Sequence, residues 1–229
     1  MAATWSATAP IVCAAESTVR IVTLGDSITK GVRPGVKPEE TFAALLQAGL
    51  RKQNAAVEVI NVGIGGERTD QALVRLAKDV IARKPDVVTI MYGTNDSYVD
   101  KGKSESRLSV DVYRANLGKL VDELRAANIV ALLMTEPRWG RTAGHNGVNE
   151  HPNVRLDKYV AACREVAQAK KVPLVDHFRI WTEREAKGAN IGSWTTDQCH
   201  PNPEGHRILT EALLPVVREA IQSIKKGAQ

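Results

Sequence analysis

The feature that most constrains this chain is a fivefold alternation in which a short apolar, β-branched run is followed by a longer stretch with helical spacing. The apolar runs stand at Val19–Leu24, Val57–Val62, Asp86–Tyr92, Ile129–Met134 and Val172–Val175. Continuous apolar runs of this length suit strands buried on both faces. Helical periodicity follows at Glu39–Gln53, Thr69–Arg83, Ser109–Ala127, Val154–Lys170 and Pro203–Ile224, the last with Pro203 and Glu204 in its first turn. Five βα units predict a parallel sheet, and right-handed crossovers put helices on both of its faces, giving a three-layer α/β/α sandwich. The long connections after Tyr92 and Met134 both leave carboxyl ends of strands. In open α/β sheets that edge is where ligands bind.

Composition narrows the class. With 229 residues, 43% of them hydrophobic, the chain can bury the core of one domain, expected over residues 18–229, and it contains no apolar run of 18 residues that would span a membrane. Lys and Arg number 31 against 26 Asp and Glu, but pairs such as Arg51-Lys52, Arg83-Lys84 and Lys170-Lys171 are scattered along helical stretches. They read as solvated faces, not as a nucleic-acid surface. Residues 1–17 differ from the rest and carry a short apolar patch ending in Val12-Cys13-Ala14-Ala15, like the small residues before a signal cut. They are either the remnant of a truncated secretory signal, which would make the protein secreted or periplasmic, or a loose terminus of a cytoplasmic protein. Cys13, Cys163 and Cys199 lack metal-ligand spacing and cannot all pair within one chain, which excludes a cysteine-rich scaffold but not a single bridge. His145, His151, His177 and His206 show no metal-ligand spacing either. Neither a metal nor a cofactor is expected, and the oligomeric state is not legible.

Chemistry gathers at the predicted strand ends. Gly25-Asp26-Ser27 follows the first strand, so the Ser27 hydroxyl can stand above the sheet as a nucleophile with its own N–H facing a carbonyl oxygen; capping of a helix or turn is the plainer role. Gly63-Ile64-Gly65-Gly66 follows the second strand, and the Gly66 N–H can point at developing negative charge, although a glycine-rich turn is often only a turn. Gly93-Thr94-Asn95-Asp96 follows the third, where Asn95 can donate to the same oxyanion or form an Asx-turn, and Asp96 ties the loop together. Asp197-Gln198-Cys199-His200 precedes the last helix and supplies a base, His200, with a carboxylate, Asp197, to orient it. Cys199 is the rival nucleophile, disfavoured beside Ser27 by its backbone context.

Taken together, these four blocks resemble those of the SGNH (GDSL-type) hydrolases, in order and across residues 19 to 224. The resemblance implies a flavodoxin-like sheet of five parallel strands in the order 2-1-3-4-5 and no metal or cofactor. It further implies Ser27 as nucleophile, Asp197 and His200 as the rest of a triad, and Ser27, Gly66 and Asn95 as oxyanion donors. Ile28 stands where the GDSL form has Leu, a change in packing that spares the chemistry.

Substrate is less legible. With 4% aromatic residues and no long apolar lid, small acyl groups are favoured over long chains, and polar or aromatic residues in the overhanging loops suggest an O-acetylated carbohydrate. Asp26, Tyr98, Arg138, Trp139 and Asn146 are the candidate substrate contacts. A lysophospholipase or acyl-thioester hydrolase is the main alternative, and a non-catalytic ligand-binding protein on the same scaffold the other.

Overall fold

Every one of the five apolar runs pairs as a strand. In the computed structural model, which describes residues 18–52 and 56–227, β1 (Val19–Gly25), β2 (Val57–Asn61), β3 (Val87–Met91), β4 (Val130–Met134) and β5 (Leu174–Val175) form one parallel sheet. Its order is β2-β1-β3-β4-β5, as the family resemblance implies. The chain also forms α1 (Ser27–Lys30), α2 (Phe42–Arg51), α3 (Thr69–Arg75), α4 (Thr94–Ser97), α5 (Val110–Ala126), α6 (Pro152–Lys170), α7 (His177–Ala186) and α8 (Pro203–Gly227).

Strand alternation builds the three layers. Ile21, Val87, Met91 and Leu132 pack with Phe42 and Leu46 of α2, Trp181 of α7 and Leu209, Leu213 and Val217 of α8. Their neighbours Val22, Val88, Ile90 and Leu133 point the other way, against Ala72 of α3, Leu117 and Leu120 of α5 and Val166 of α6. Each such side chain, removed from water, is worth about 2 kcal/mol. The carboxyl edge of the sheet therefore rests on two packed layers. Among the described residues no helix is long and apolar enough to cross a membrane.

Several expected boundaries shift for local reasons. The helix predicted over Glu39–Gln53 is a short 3-10 turn at Pro38–Glu40 followed by α2, because Thr41 takes extended backbone and its hydroxyl caps the Ala44 N–H; Gln53 lies outside the described residues. The stretch Thr69–Arg83 stays helical only to Arg75, then widens into a π turn over Leu76–Val80 and tightens over Ile81–Arg83. The fifth strand pairs only at Leu174 and Val175, since Pro173 has no N–H to donate. Helix α7 was not expected: Phe178 and Trp181 are its only large buried apolar residues, too few for a periodic signal, and Asp176 starts it by accepting from the Arg179 N–H. Cys163 and Cys199 are both free and belong to opposite layers. Cys13 and the two readings of residues 1–17 fall outside the described residues.

Candidate active site

The turn after β1 is shaped by a glycine. A Cβ on Gly25 would lie 2.0 Å from Thr29 Oγ1 and 2.6 Å from the Met91 carbonyl oxygen, so no other residue fits. Capping of α1 falls to Asp26, whose Oδ1 accepts from the Ile28 N–H at 2.8 Å. Ser27 is thereby released from the capping role and directs its hydroxyl outward, 2.9 Å from His200 Nε2.

The tail that brings His200 there is folded around Asp197. Its Oδ1 accepts from the backbone N–H groups of Cys199 (3.2 Å) and His200 (2.8 Å), and Gln198 completes the turn at φ +70°. Gly140 pins it by donating to the Gln198 carbonyl at 2.7 Å. Within this turn His200 Nδ1 lies 2.8 Å from Asp197 Oδ2. Burial alone would raise the Asp197 pKa, but the His200 backbone and ring outweigh it and hold the carboxyl at about 2. His200 is shifted below its ordinary value, by burial first, against the upward pull of Asp197. The arrangement joins a hydroxyl, an imidazole and a carboxylate in one hydrogen-bonded line, which can move a proton off the hydroxyl as it attacks.

A second set of polar groups lies beneath. Asn95, in α4, donates through Nδ2 to Asp26 Oδ2 at 2.8 Å and accepts at Oδ1 from Arg107 at 3.2 Å. Its remaining Nδ2 hydrogen is free to meet an oxyanion. Asp26 is fully buried beside Glu136, itself 1% exposed. Burial, followed by the charges of Asp26 and Asp96, drives Glu136 well above the ordinary carboxylate range, and burial raises Asp26 too. Neither Glu136 oxygen meets a hydrogen-bond donor among the described residues, so the neutral acid, which can offer its proton toward Asp26, is the better-satisfied form. Asp96, raised to about 6 by burial against its bonds from Thr69, accepts from the Thr69 N–H and hydroxyl at 3.0 and 2.6 Å. That tie fixes the Asn95 turn to the start of α3.

The loop carrying Gly66 is drawn to the same edge. Ile64 donates its N–H to the Gly25 carbonyl at 3.0 Å, and a Cβ on Gly65 would sit 4.0 Å from Ser27 Cβ. Gly66 is exposed at φ +78°, backbone that favours glycine. Glu67, held beneath by Arg75 at 2.6 Å and by the Tyr92 hydroxyl at 2.5 Å, anchors the turn from below.

A cleft of about 190 Å³ opens over Ser27, lined also by Asn95, Tyr98, Arg107, Trp139 and His200. Tyr98 and Trp139 stack along it with centroids 6.2 Å apart, and the Arg107 guanidinium lies 5.2 Å from the Tyr98 ring. The other three candidate contacts are elsewhere. Asp26 is 0% exposed and serves Asn95 from below. Arg138 turns away to Glu185 at 3.2 Å. Asn146 Oδ1 accepts from the Val148 and Glu150 N–H groups and shapes the loop after β4. Polar character in the loop after the fourth strand suggests Arg138 and Asn146, but the backbone takes Asn146 Oδ1 and Glu185 pairs with Arg138. Arg107 and Glu136 carry no local sequence signal and emerge only from the packing. Cys199 lines the cleft as well, yet burial holds its thiol well above its ordinary value, which makes it a poor nucleophile.

Similarity to known proteins agrees with this geometry. The acetylxylan esterase of Geobacillus stearothermophilus is 30% identical, over 85% of this chain and 92% of that protein, and the isoamyl acetate-hydrolyzing esterase 1 homolog of Rattus norvegicus is 27% identical, over 90% and 84%. A crystal structure of an acetylxylan esterase from Geobacillus stearothermophilus superposes with a TM-score of 0.73 at 27% identity, over 88% of this chain and 94% of that one. The model of the GDSL-like Lipase/Acylhydrolase family matches residues 23–208, a span that holds Ser27, Gly66, Asn95, Asp197 and His200, and the chain therefore belongs to that family and is a carboxylic ester hydrolase.

Proposed function

We propose that this protein is a serine esterase acting on short-acyl esters, O-acetyl groups on carbohydrates foremost, through a Ser27–His200–Asp197 triad and an acyl-enzyme. The observation that carries the reading is the hydrogen-bonded line from Ser27 through His200 to Asp197, 2.9 and 2.8 Å long, opening on a cleft of about 190 Å³. So small a cleft suits an acetyl group better than a long chain. Beyond Arg107 the surface continues into a polar groove of about 530 Å³ lined by Arg68, Asp100, Lys103 and Ser106, which suits a hydroxyl-rich alcohol part. The acetate esters named in two relatives point the same way.

In this mechanism His200 Nε2 takes the Ser27 proton as Oγ attacks the ester carbonyl. The Ser27 and Gly66 N–H groups and Asn95 Nδ2 hold the oxyanion, each worth about 3 kcal/mol of barrier. His200 then gives the proton to the leaving alcohol, and a water deprotonated by the same ring cleaves the acyl-enzyme. Activity therefore needs neutral His200. Because burial lowers its pKa below 6.5, the rise with pH is expected on the acid side of that value, lower than the pH 6 to 7 that an unperturbed imidazole would give.

The test is hydrolysis of p-nitrophenyl esters from acetate to palmitate beside Ser27→Ala, followed by acetylated xylo-oligosaccharides. Ser27-dependent turnover confined to acetate and butyrate is expected. A maximum at eight carbons or longer would instead favour the lysophospholipase or thioesterase reading, and full activity in Ser27→Ala would refute the mechanism.

A further inference from the structure

The loop after α1 meets the tail at a second point. Gly31, at φ +74°, closes α1 by donating its N–H to the Ser27 carbonyl, and has no room for a side chain, since a Cβ would lie 2.8 Å from Thr41 Cγ2. Arg33 and Val36 then exchange backbone hydrogen bonds across a turn containing Gly35 at φ +86°. The turn rests on the tail: a Cβ on Gly35 would sit 3.8 Å from the Thr196 methyl group. From this support Arg33 Nη2 donates to Asp197 Oδ2 at 2.7 Å, the same oxygen that faces His200 Nδ1 at 2.8 Å. Among the described residues Arg33 Nε is buried with no partner, and the guanidinium's side-chain hydrogen bond goes to Asp197. One segment, residues 27–33, thus grips the tail at both ends, with Ser27 at Nε2 of the ring and Arg33 behind the carboxylate.

We propose, resting on the hydrolytic reading above, that Arg33 is a positioning residue: its guanidinium locks the Asp197 carboxylate against the His200 ring and moderates that carboxylate's hold on the ring proton. Two forces follow from one contact. A carboxylate shared between Nδ1 and a fixed cation cannot rotate away from the imidazole, which preserves the tautomer that leaves Nε2 free to accept. The positive charge also opposes formation of a second positive charge on the ring. Among the described residues, the charged and titratable groups around His200 are Asp197 in its own turn, Arg33 on the loop, Arg107 and Tyr98 across the cleft, and the Cys199 thiol, held neutral by burial. Of these, Asp197 raises the His200 pKa and Arg33 lowers it.

The experiment is the pH dependence of kcat/KM on p-nitrophenyl acetate for the parent enzyme, Arg33→Gln and Arg33→Lys, with NMR titration of the His200 ring in Ser27→Ala and in Ser27→Ala/Arg33→Gln. In Arg33→Gln the acid limb should move to higher pH by about half a unit. Its kcat should fall by about tenfold with little change in KM, and the ring titration should move in the same direction. Arg33→Lys, which keeps the charge, should return the limb toward the parent. Arg33→Met keeps the apolar stem and is the substitute if Gln lowers the melting temperature. A limb and a ring titration both unmoved in Arg33→Gln would overturn the proposal, as would Arg33→Lys behaving like Arg33→Gln. Retained activity in Ser27→Ala would sink the hydrolytic reading alone, because the ring titration reads Arg33 without turnover.

Discussion

Two carboxylates flank Ser27, and the protein treats them in opposite ways. Asp197 is partly exposed, with 40% of its side-chain surface open, and is surrounded by donors: two backbone N–H groups, the His200 ring and Arg33. Its pKa is held at about 2. Asp26 is sealed from water beside Glu136 and near Asp96, with no cation bonded to it, and burial pushes it upward. The first environment preserves a charge that can stabilise an imidazolium. The second raises the pKa of a buried pair, with the proton favoured on Glu136 and Asp26 accepting from Asn95. Sites often separate roles this way, by giving like groups environments that drive their pKa values apart.

The comparison can be broken most decisively at Asp197. Asp197→Asn should lower kcat by about a thousandfold or more, because the ring loses both its orienting acceptor and its counter-charge. Stopped-flow or steady-state hydrolysis of p-nitrophenyl acetate measures it, and a loss under tenfold would place the base's support elsewhere. Asp26→Asn should cost less, about ten- to a hundredfold in kcat with KM nearly constant, since Asn95 would be misaimed but not removed. Equal losses in the two variants would erase the distinction drawn here.

The histidines repeat the contrast on the stability side. His177 is fully buried, neither ring nitrogen has a partner among the described residues, and burial, little offset by Asp176, carries its pKa down to about 3. His206 is carried to about 4 for the same reason. The unfolded chain binds these protons near pH 6.5 and the folded one refuses them until about 3 to 4, so stability should fall as pH drops through that window. Thermal unfolding between pH 7 and 4 tests this, and His177→Phe should remove part of the fall. A slope unchanged by that substitution would show that His177 finds a partner for its proton in the folded state.

The smallest effect is expected at Glu136. Glu136→Gln imitates a protonated carboxyl, so hydrolysis should stay within about threefold of the parent, and a loss like that of Asp26→Asn would mean that Glu136 acts as an anion.

The five strands and the three layers are legible from local signals, apolar runs and helical periodicity, and the four motif blocks from residue type and position, whereas the strand order is what the family resemblance implies. Tyr98 and Trp139 were legible as loop aromatics and do line the cleft. Arg138 and Asn146 are polar residues of the same loop as Trp139, yet Arg138 pairs with Glu185 and Asn146 Oδ1 serves the loop's own backbone, while Asp26 caps α1 and accepts from Asn95. Helix α7 escaped notice because its buried face needs only Phe178 and Trp181, and α3 ends early where the chain widens into a π turn.

By itself the sequence determined that the chain is a parallel α/β sandwich with a serine, glycine-rich turns and an asparagine at strand ends and an Asp-His pair before the last helix, because side-chain periodicity and glycine's backbone freedom act over a few residues. Only the tertiary structure decided which carboxylate stays charged and which is buried with Glu136, that Arg107 clamps Asn95, and that Arg33 reaches Asp197. Those outcomes depend on desolvation and on pairs up to 164 residues apart, and such distances are set by packing of the whole sheet rather than by any local stretch of chain.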